Sequence, residues 1–361
     1  MRSFARAWRM SAIMLVLALL FFAGRMLWAN GLFSSTKTGF SGSCRVLSDV
    51  PGVSDIEIAG GMAFVAVSNA RGPRSEDGLY ALPLDGTGRL TKLVGTPKDF
   101  HPRGIGIYRS PDGSGVFLLA VNRRAGASAA AGATNEKVRF SIDSFEVTNP
   151  STKPALVSQG TIGSGLLTDP QDVAAAGAGS FYVSNNIVLP AFLRRLADWG
   201  AIPGSNILHF NGMMFRAVAE DVYGAGGLLL MPDGNQLLAA SMTTRSIKSF
   251  NREMMSGNLT EGASFTLDVA PEKLSLDSRG EVWVAGHSSL IQWRDFFADA
   301  DHRPPSQVFR VAIASGVPQA AAFVYGNAGG DIAAAGIAVS AGKRLLIGSA
   351  LDGKLLDCSE N

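Results

Sequence analysis

The chain has few charged residues, few histidines and very little cysteine. Asp, Glu, Lys and Arg make up 17% of its 361 residues, beside four histidines and two cysteines. Scattered histidines and two distant cysteines give no spacing typical of a zinc site. The G-x-S-x-G motif of serine hydrolases is absent. No Lys/Arg cluster is interleaved with aromatic residues, so a nucleic-acid surface is not expected.

Acidic residues are absent from the first 48 positions. Arg2, Arg6 and Arg9 precede an apolar run over 10–23, which is the charge profile of an export signal or an N-terminal membrane anchor. We assign residues 1–30 to this segment. Both a cleaved signal and an uncleaved anchor remain open, because the small-residue cleavage site is poor and Arg25 interrupts a longer span.

The chain is rich in glycine, with 42 residues, and it repeats one pattern six times. A short apolar strand, a glycine-bearing turn and a second apolar strand begin near Asp55, Gly104, Asp172, Gly226, Lys273 and Gly336. Starts separated by roughly 45 to 70 residues leave room for about four strands per repeat, the content of one propeller blade. The pattern predicts an all-β, six-bladed β-propeller over residues 44–361, preceded by an N-terminal hydrophobic helix and a linker over 31–43.

The innermost strand of each blade lines the central channel of a propeller. The residues that open the six repeats are therefore expected to converge at the mouth of that channel. They are Ser54, Asp55, Arg103, Gln171, Asp172, Gly226, Glu272, Lys273 and Ala335.

The two cysteines, Cys44 and Cys358, bracket the whole repeat array. An exported chain meets an oxidising compartment, and the two ends of a propeller usually meet in one blade. We expect the cysteines to pair and to close the ring; two unpaired buried thiols are the alternative. The expected location is periplasmic or extracellular, with the chain membrane-anchored, or secreted if the leader is cleaved.

A series of motifs runs in fixed order between the cysteines: S-D-I-E-I, P-x-G-I, L-L-x-V-N, D-x-x-G-x-V-W-V-x-x-H and L-L-I-G. In this order the chain resembles the paraoxonase and arylesterase family, as a divergent member. The related gluconolactonase (SMP-30-like) and strictosidine-synthase propellers are the nearest alternatives. The resemblance implies a six-bladed calcium propeller that hydrolyses lactones and aryl esters.

The resemblance also implies a catalytic calcium at the channel mouth. The matching positions are Ser54, Gln171, Gly226, Glu272 and Lys273, of which Glu272 alone is a carboxylate. A hard divalent cation needs six to eight oxygen ligands, and a lysine ammonium repels it. We expect no catalytic calcium, and we assign Ser54, Gln171, Glu272 and Lys273 to substrate binding.

Two further carboxylates, Asp55 and Asp172, match the positions that hold a second, structural calcium in the resembled family. Two carboxylates that converge on one axis need a cation nearby, because their repulsion and desolvation are costly. One structural Ca²⁺ at this place is one expectation. Ion pairs with Arg103, Arg123 or Lys273 are the alternative.

The histidine pair of the family corresponds to Arg103 and Arg123. Arginine keeps its proton near neutral pH, so neither residue can serve as a general base. His287 matches a family histidine near the channel and joins the two arginines as a candidate catalytic residue. His101 could replace the missing base sterically, or could be a hydrogen-bonded structural residue. His209 and His302 are expected at the surface.

Two functions fit this altered ring. Arg103, Arg123 and Lys273 at one mouth would favour an anionic ligand or the oxyanion of acyl transfer, which suits an arylesterase-like hydrolase of esters or lactones with a rebuilt site. The alternative is a non-catalytic anion-binding or scaffold propeller. A short helix expected within 187–204 is either a lid or, beside the N-terminal segment, a contact with a membrane surface.

Overall fold

The computed structural model describes residues 2–47, 50–86, 88–113, 115–124 and 140–360. These residues form six antiparallel sheets arranged as the blades of a propeller. The first three blades contain β3–β6 (Val53–Ala59, Met62–Val67, Gly78–Pro83, Thr91–Lys92), β7–β10 (Pro102–Arg109, Val116–Arg123, Phe140–Thr148, Ala155–Gly163) and β11–β14 (Pro170–Gly177, Ser180–Asn185, Ser205–Phe210, Phe215–Val222).

Blade 4 contains β15–β18, and blade 5 is built on β19–β22. Blade 6 contains β23–β25 and takes its outer strand from the N-terminal part of the chain. The strands of blade 4 are β15 (Ala225–Leu230), β16 (Gln236–Ser241), β17 (Ser246–Arg252) and β18 (Leu259–Thr266). Those of blade 5 are β19 (Ala270–Leu276), β20 (Val282–His287), β21 (Ser306–Ala314) and β22 (Val317–Asn327). Those of blade 6 are β23 (Ile337–Ala341), β24 (Arg344–Gly348) and β25 (Leu355–Glu360).

The predicted six-bladed propeller is confirmed. The inner strand of each blade is the first strand of one sequence repeat, and each inner strand contacts the inner strands of both neighbouring blades, so the ring closes between β23 and β3. Apolar side chains fill the spaces between blades. Phe64 of blade 1 and Leu118 and Phe145 of blade 2 share one cluster and are almost completely buried.

The N-terminal part of the chain closes the ring. Strand β2 (Gly42–Leu47) pairs with β25, and β1 (Gly39–Phe40) pairs with β22 at the edge of blade 5. Cys44 lies opposite Cys358 in the ladder, and the two form the predicted disulfide across a sequence separation of 314 residues. In the chain-entropy account, closing so long a loop stabilises the fold by on the order of 5 kcal/mol.

Three helices lie outside the described sheets. The long helix α1 (Arg2–Ala29) contains an apolar stretch, Trp8–Ala29, that is long enough to cross a membrane and is not buried by the propeller except at its end, Ala29. The short helix predicted within 187–204 is α2 (Ala191–Asp198), and α3 (Leu290–Ala298) follows blade strand β20. Phe192 of α2 is 79% exposed.

The end of α1 is fixed to the propeller through Asn30, which is fully buried. The Asn30 side chain donates to the carbonyl of Trp199 at 3.0 Å and accepts from Arg294 at 2.6 Å. The Asn30 carbonyl accepts from the Leu290 amide at 3.1 Å. The apolar helix therefore leaves the body on the same face as α2 and α3.

Candidate functional site

A cavity of about 250 Å³ opens at the mouth of the central channel. Most of the residues predicted to line this cavity lie near the start of an inner strand, where side chains from different blades meet. Six of the residues expected there line it: Ser54, Arg103, Arg123, Gln171, Glu272 and Lys273.

Glycines on the inner strands make room for the charged groups at the axis. A Cβ atom on Gly104 would lie 2.3 Å from Oδ1 of Asp172, and one on Gly336 would lie 2.3 Å from Oε2 of Glu272. No other residue fits at these positions without displacing a carboxylate. Glycine is therefore required at Gly104 and Gly336, which open two of the repeats, because a carboxylate approaches each of them closely.

The ammonium of Lys273, on β19, is buried between two carboxylates from other blades. Its Nζ lies 2.9 Å from Oδ1 of Asp172 and 3.3 Å from Oδ2 of Asp55, and it donates to the Gln171 carbonyl at 2.9 Å. The Lys273 side chain is 5% exposed. An ammonium has three N–H donors, and these three acceptors account for them. Lys273 therefore has no donor left for a ligand in the cavity.

The two carboxylates also accept backbone hydrogen bonds. Asp55 accepts from its neighbour Ile56 at 2.9 Å and from Ile105 of blade 2 at 2.8 Å. Asp172 accepts in the same way from Val173 at 2.9 Å and from Leu228 of blade 4 at 2.8 Å. Each aspartate is therefore held in place by its own strand and by the next blade.

Burial and charge act in opposite directions on these groups. Burial lowers the pKa of Lys273, but Asp172 and Asp55 raise it by more, so the ammonium is kept charged. Burial raises the pKa of Asp55 to about 8, against the lowering effect of Lys273, and Asp172 raises it further. Burial also raises the pKa of Glu57, which lies near the same aspartates. Asp55 therefore holds its proton to a higher pH in the folded state than in the unfolded chain.

Three arginines lie together at the mouth. Arg103 is paired with Asp169, with Nη1 2.6 Å from Oδ1, and also donates to the Pro170 carbonyl. Arg74 and Arg123 line the same cavity. Burial lowers the pKa of the Arg123 guanidinium, and the positive charges of Arg103 and Arg74 lower it further. Three guanidinium groups therefore border one cavity.

A buried histidine–aspartate pair also lines the cavity. Nδ1 of His101 lies 2.8 Å from Oδ2 of Asp77, and the two side chains are 8% and 1% exposed. Asp77 is fixed in turn by the Asn69 amide at 2.7 Å, and the His101 amide donates to Asn122. His101 is thus a hydrogen-bonded residue, as one interpretation expected, and also part of the cavity wall.

The other histidines are placed differently. His287 is 1% exposed and does not line the cavity; its Nε2 lies 2.8 Å from Oε2 of Glu272, which does. The expectation that His209 lies at the surface is wrong, because it stacks on Tyr182 at a centroid distance of 4.7 Å and is 4% exposed. His302 is exposed, as expected.

A second cavity of about 290 Å³ adjoins the mouth and is largely apolar. Asn186, Trp293 and Phe297 line both cavities. Ile187, Met242 and Leu290 are among the residues that line the second cavity alone. A polar, cationic chamber and an apolar chamber are therefore in contact beside α3.

A family model described as Arylesterase matches residues 89–359, about three quarters of the chain. The chain belongs to the arylesterase family. Over 252 residues it is 27% identical to serum paraoxonase/arylesterase 2 of Gallus gallus, covering 69% of this chain and 66% of that protein. The match to the Rattus norvegicus protein of the same name is 24% over 322 residues, with 85% and 86% covered.

The fold is also similar to that of a luciferin-regenerating enzyme. The TM-score is 0.52 at 10% sequence identity, over 88% of this chain and 95% of that one. At this identity the likeness concerns the architecture alone. It agrees with the propeller derived from the six repeats.

The residues of this arylesterase-family member do not fit the calcium ions that the resemblance implied. At the mouth, the Ser54 hydroxyl lies 3.1 Å from each of two carbonyl oxygens that can accept its single O–H, Gly226 has no side chain, and Glu272 is hydrogen-bonded to His287. The ammonium of Lys273 lies between Asp55 and Asp172. An ion pair with Lys273 therefore occupies the position for which a structural Ca²⁺ was the other expectation. Within the described residues, no three His, Cys, Asp or Glu side chains are grouped as metal ligands.

Several residues of the site could not be recognised in the sequence. Asp77, Asp169 and Arg74 come from connecting segments outside the repeated pattern, and Trp293 and Phe297 come from α3. The repeated pattern gave no signal for these positions. Lys273 was placed at the mouth, and its ion pair with Asp55 and Asp172 was one of the alternatives considered for those carboxylates.

Proposed function

We propose that this chain hydrolyses carboxylic esters or lactones in the mouth cavity, with His101 as the general base. The observation that carries the proposal is the contact of His101 with Asp77 in the wall of the same cavity that three arginines line. This would be an arylesterase-like activity with a rebuilt site. It needs no metal ion at the positions of Asp55, Asp172 and Lys273.

In this proposal a water molecule attacks the carbonyl carbon and gives its proton to Nε2 of His101. Asp77 accepts the hydrogen bond from Nδ1–H and stabilises the imidazolium that forms. The oxyanion is stabilised by the guanidinium groups of Arg103 and Arg123. Collapse of the tetrahedral species breaks the ester C–O bond, and the leaving oxygen takes the proton back from His101.

Substrate recognition would use both chambers. The cationic mouth would hold the carbonyl and any carboxylate of the substrate. The apolar chamber beside α3 would take an aryl or alkyl part, because burying apolar surface there is favourable. We therefore assign Ser54, Gln171 and Glu272 to the wall that contacts the polar part. His287 would act through Glu272.

The experiment is hydrolysis of a panel of aryl esters and lactones by the full chain, with and without a chelator. We expect chelator-insensitive turnover, and an H101Q variant should lose about 10²–10⁴-fold in kcat/KM. H302Q, at an exposed histidine, is the matched control and should retain activity. Turnover abolished by the chelator, or unchanged in H101Q, would contradict the proposal.

The arginine cluster favours one alternative function, a non-catalytic propeller that binds small anions. Calorimetric titration of the folded protein with carboxylates and phosphate would measure it. Binding heat that disappears in R103A but persists in R89A, an exposed control, supports an anion site. Anion binding without turnover on any ester or lactone of the panel would favour this alternative over hydrolysis.

We also propose that the chain is held at the outer side of a membrane by α1. The disulfide is typical of an oxidising compartment. Arg25 lies over the Tyr223 ring at 4.6 Å, and this contact of a residue that cleavage would remove favours an uncleaved anchor over a cleaved signal. N-terminal sequencing of the membrane-associated protein would test this: an N-terminus near residue 30 would contradict it.

A further inference from the structure

Lys273 and its two carboxylate partners together contact all six blades. Its ammonium, from blade 5, contacts Asp55 of blade 1 and Asp172 of blade 3. Those two carboxylates accept backbone hydrogen bonds from blades 2 and 4, as described above. The Lys273 amide donates at 3.0 Å to the carbonyl of Gly336, immediately before the inner strand of blade 6. One residue and its two partners thus connect the whole ring.

A cation at this point is needed for electrostatic reasons. Asp55 and Asp172 are 4% and 3% exposed, so a negative charge on this pair is costly without a partner of opposite sign. The ammonium supplies a positive charge without having to be captured from solution. A Cβ on Gly227 would lie 2.7 Å from Cα of Lys273, so the neighbouring strand packs tightly against the base of the side chain.

We propose that Lys273 is a built-in cation that does at the propeller axis what a bound divalent metal ion would otherwise do. The folded state then depends on no metal. The same geometry predicts the effect of removing the ammonium. Removing the ammonium leaves Asp55, Asp172 and the Gln171 carbonyl around an emptied volume. They supply at most five of the six to eight oxygen ligands that Ca²⁺ takes, and water would have to complete the set. The K273N variant adds an amide oxygen to that set.

The test compares the intact wild-type chain with K273N, and it uses CaCl₂ and a chelator as the probes. Metal content after dialysis against calcium is measured by mass spectrometry, and Tm is measured with chelator or with millimolar CaCl₂. For the wild type we expect less than 0.1 equivalent of calcium and the same Tm in both conditions. For K273N we expect a Tm several degrees lower in chelator, an upward shift of several degrees in CaCl₂, and about one equivalent of calcium.

K248N is the matched control, because Lys248 pairs with Glu261 at the surface; its Tm should respond to neither probe. Stoichiometric calcium in the wild type, or a wild-type Tm that falls in chelator, would overturn the proposal even if K273N failed to fold. A folded K273N that is no less stable than the wild type, or that ignores calcium, would overturn it too. None of these measurements uses enzymatic activity, so their outcome does not depend on whether the chain hydrolyses esters or lactones.

Discussion

The mouth of the channel and the axis beneath it both carry cations, but in different settings. At the axis, one ammonium has three acceptors within 3.3 Å and is 5% exposed. At the mouth, three arginines border a cavity, and the side chain of Arg103 is still 30% exposed beside Asp169. The axis cation is therefore structural, whereas the mouth cations remain close enough to solvent to meet a ligand.

The largest effect should come from removing the axis cation. K273M keeps the bulk of the side chain but leaves two buried carboxylates without their partner. We expect the free energy of unfolding to fall by about 3–5 kcal/mol, the range measured when one partner of a buried ion pair is removed. Denaturant unfolding monitored by circular dichroism would measure the loss.

K248M provides the comparison for that loss. Its ammonium is paired with the exposed Glu261 at 2.7 Å, and exposed pairs contribute about 0–1 kcal/mol. Equal losses in K273M and K248M would mean that the axis is no more dependent on its cation than the surface is.

The sequence predicted the parts of the molecule that local pattern decides. Each repeat places an apolar strand beside a glycine turn, so the inner strands that begin near Gly104 and Gly226 could be located without coordinates. Residues at the start of an inner strand were expected at the mouth of the channel, so the sequence also predicted most of the strand residues that line the cavity there. Cys44 and Cys358 lie at opposite ends of the array, and closure of the ring requires those ends to meet.

What could not be predicted depends on contacts between distant segments. Asp77 reaches His101 from a loop of the neighbouring blade, and no spacing in the sequence records that approach. The side chain of Lys273 is long and unbranched, so its position on the strand did not fix where the ammonium lies. His209 is buried with its ring stacked on Tyr182, and a single histidine in an alternating strand carries no sign of that contact.

A smaller effect concerns pH at the axis. Burial raises the pKa of Asp55 to about 8, so between about pH 4 and 8 the folded state holds a proton that the unfolded chain has released. The free energy of unfolding should therefore decrease as the pH rises through this range. From pH 6 to 8 we expect a decrease on the order of 2 kcal/mol, from about 1.4 kcal/mol per pH unit and one proton.

The D55N variant sharpens this prediction. It keeps a neutral group of the same size facing Asp172 and Lys273, so the decrease between pH 6 and 8 should become smaller. It should not vanish, because burial raises the pKa of Glu57 as well and that group acts with the same sign. A D55N profile as steep as that of the wild type would assign the proton to another group.

The smallest effect is expected at the mouth, from removing the carboxylate that competes for Arg103. The Asp169 side chain is 25% exposed and holds one guanidinium nitrogen at 2.6 Å. D169N should strengthen the binding of a small carboxylate or phosphate by about three- to tenfold, which corresponds to roughly 1 kcal/mol. Calorimetric titration of the wild type and of D169N would give the dissociation constant of the anion for each. The control E261Q, at an exposed carboxylate paired with Lys248, should have the dissociation constant of the wild type. Weaker anion binding in D169N would mean that Asp169 orients Arg103 for the ligand, and the mouth would then resemble the axis in depending on its ion pair.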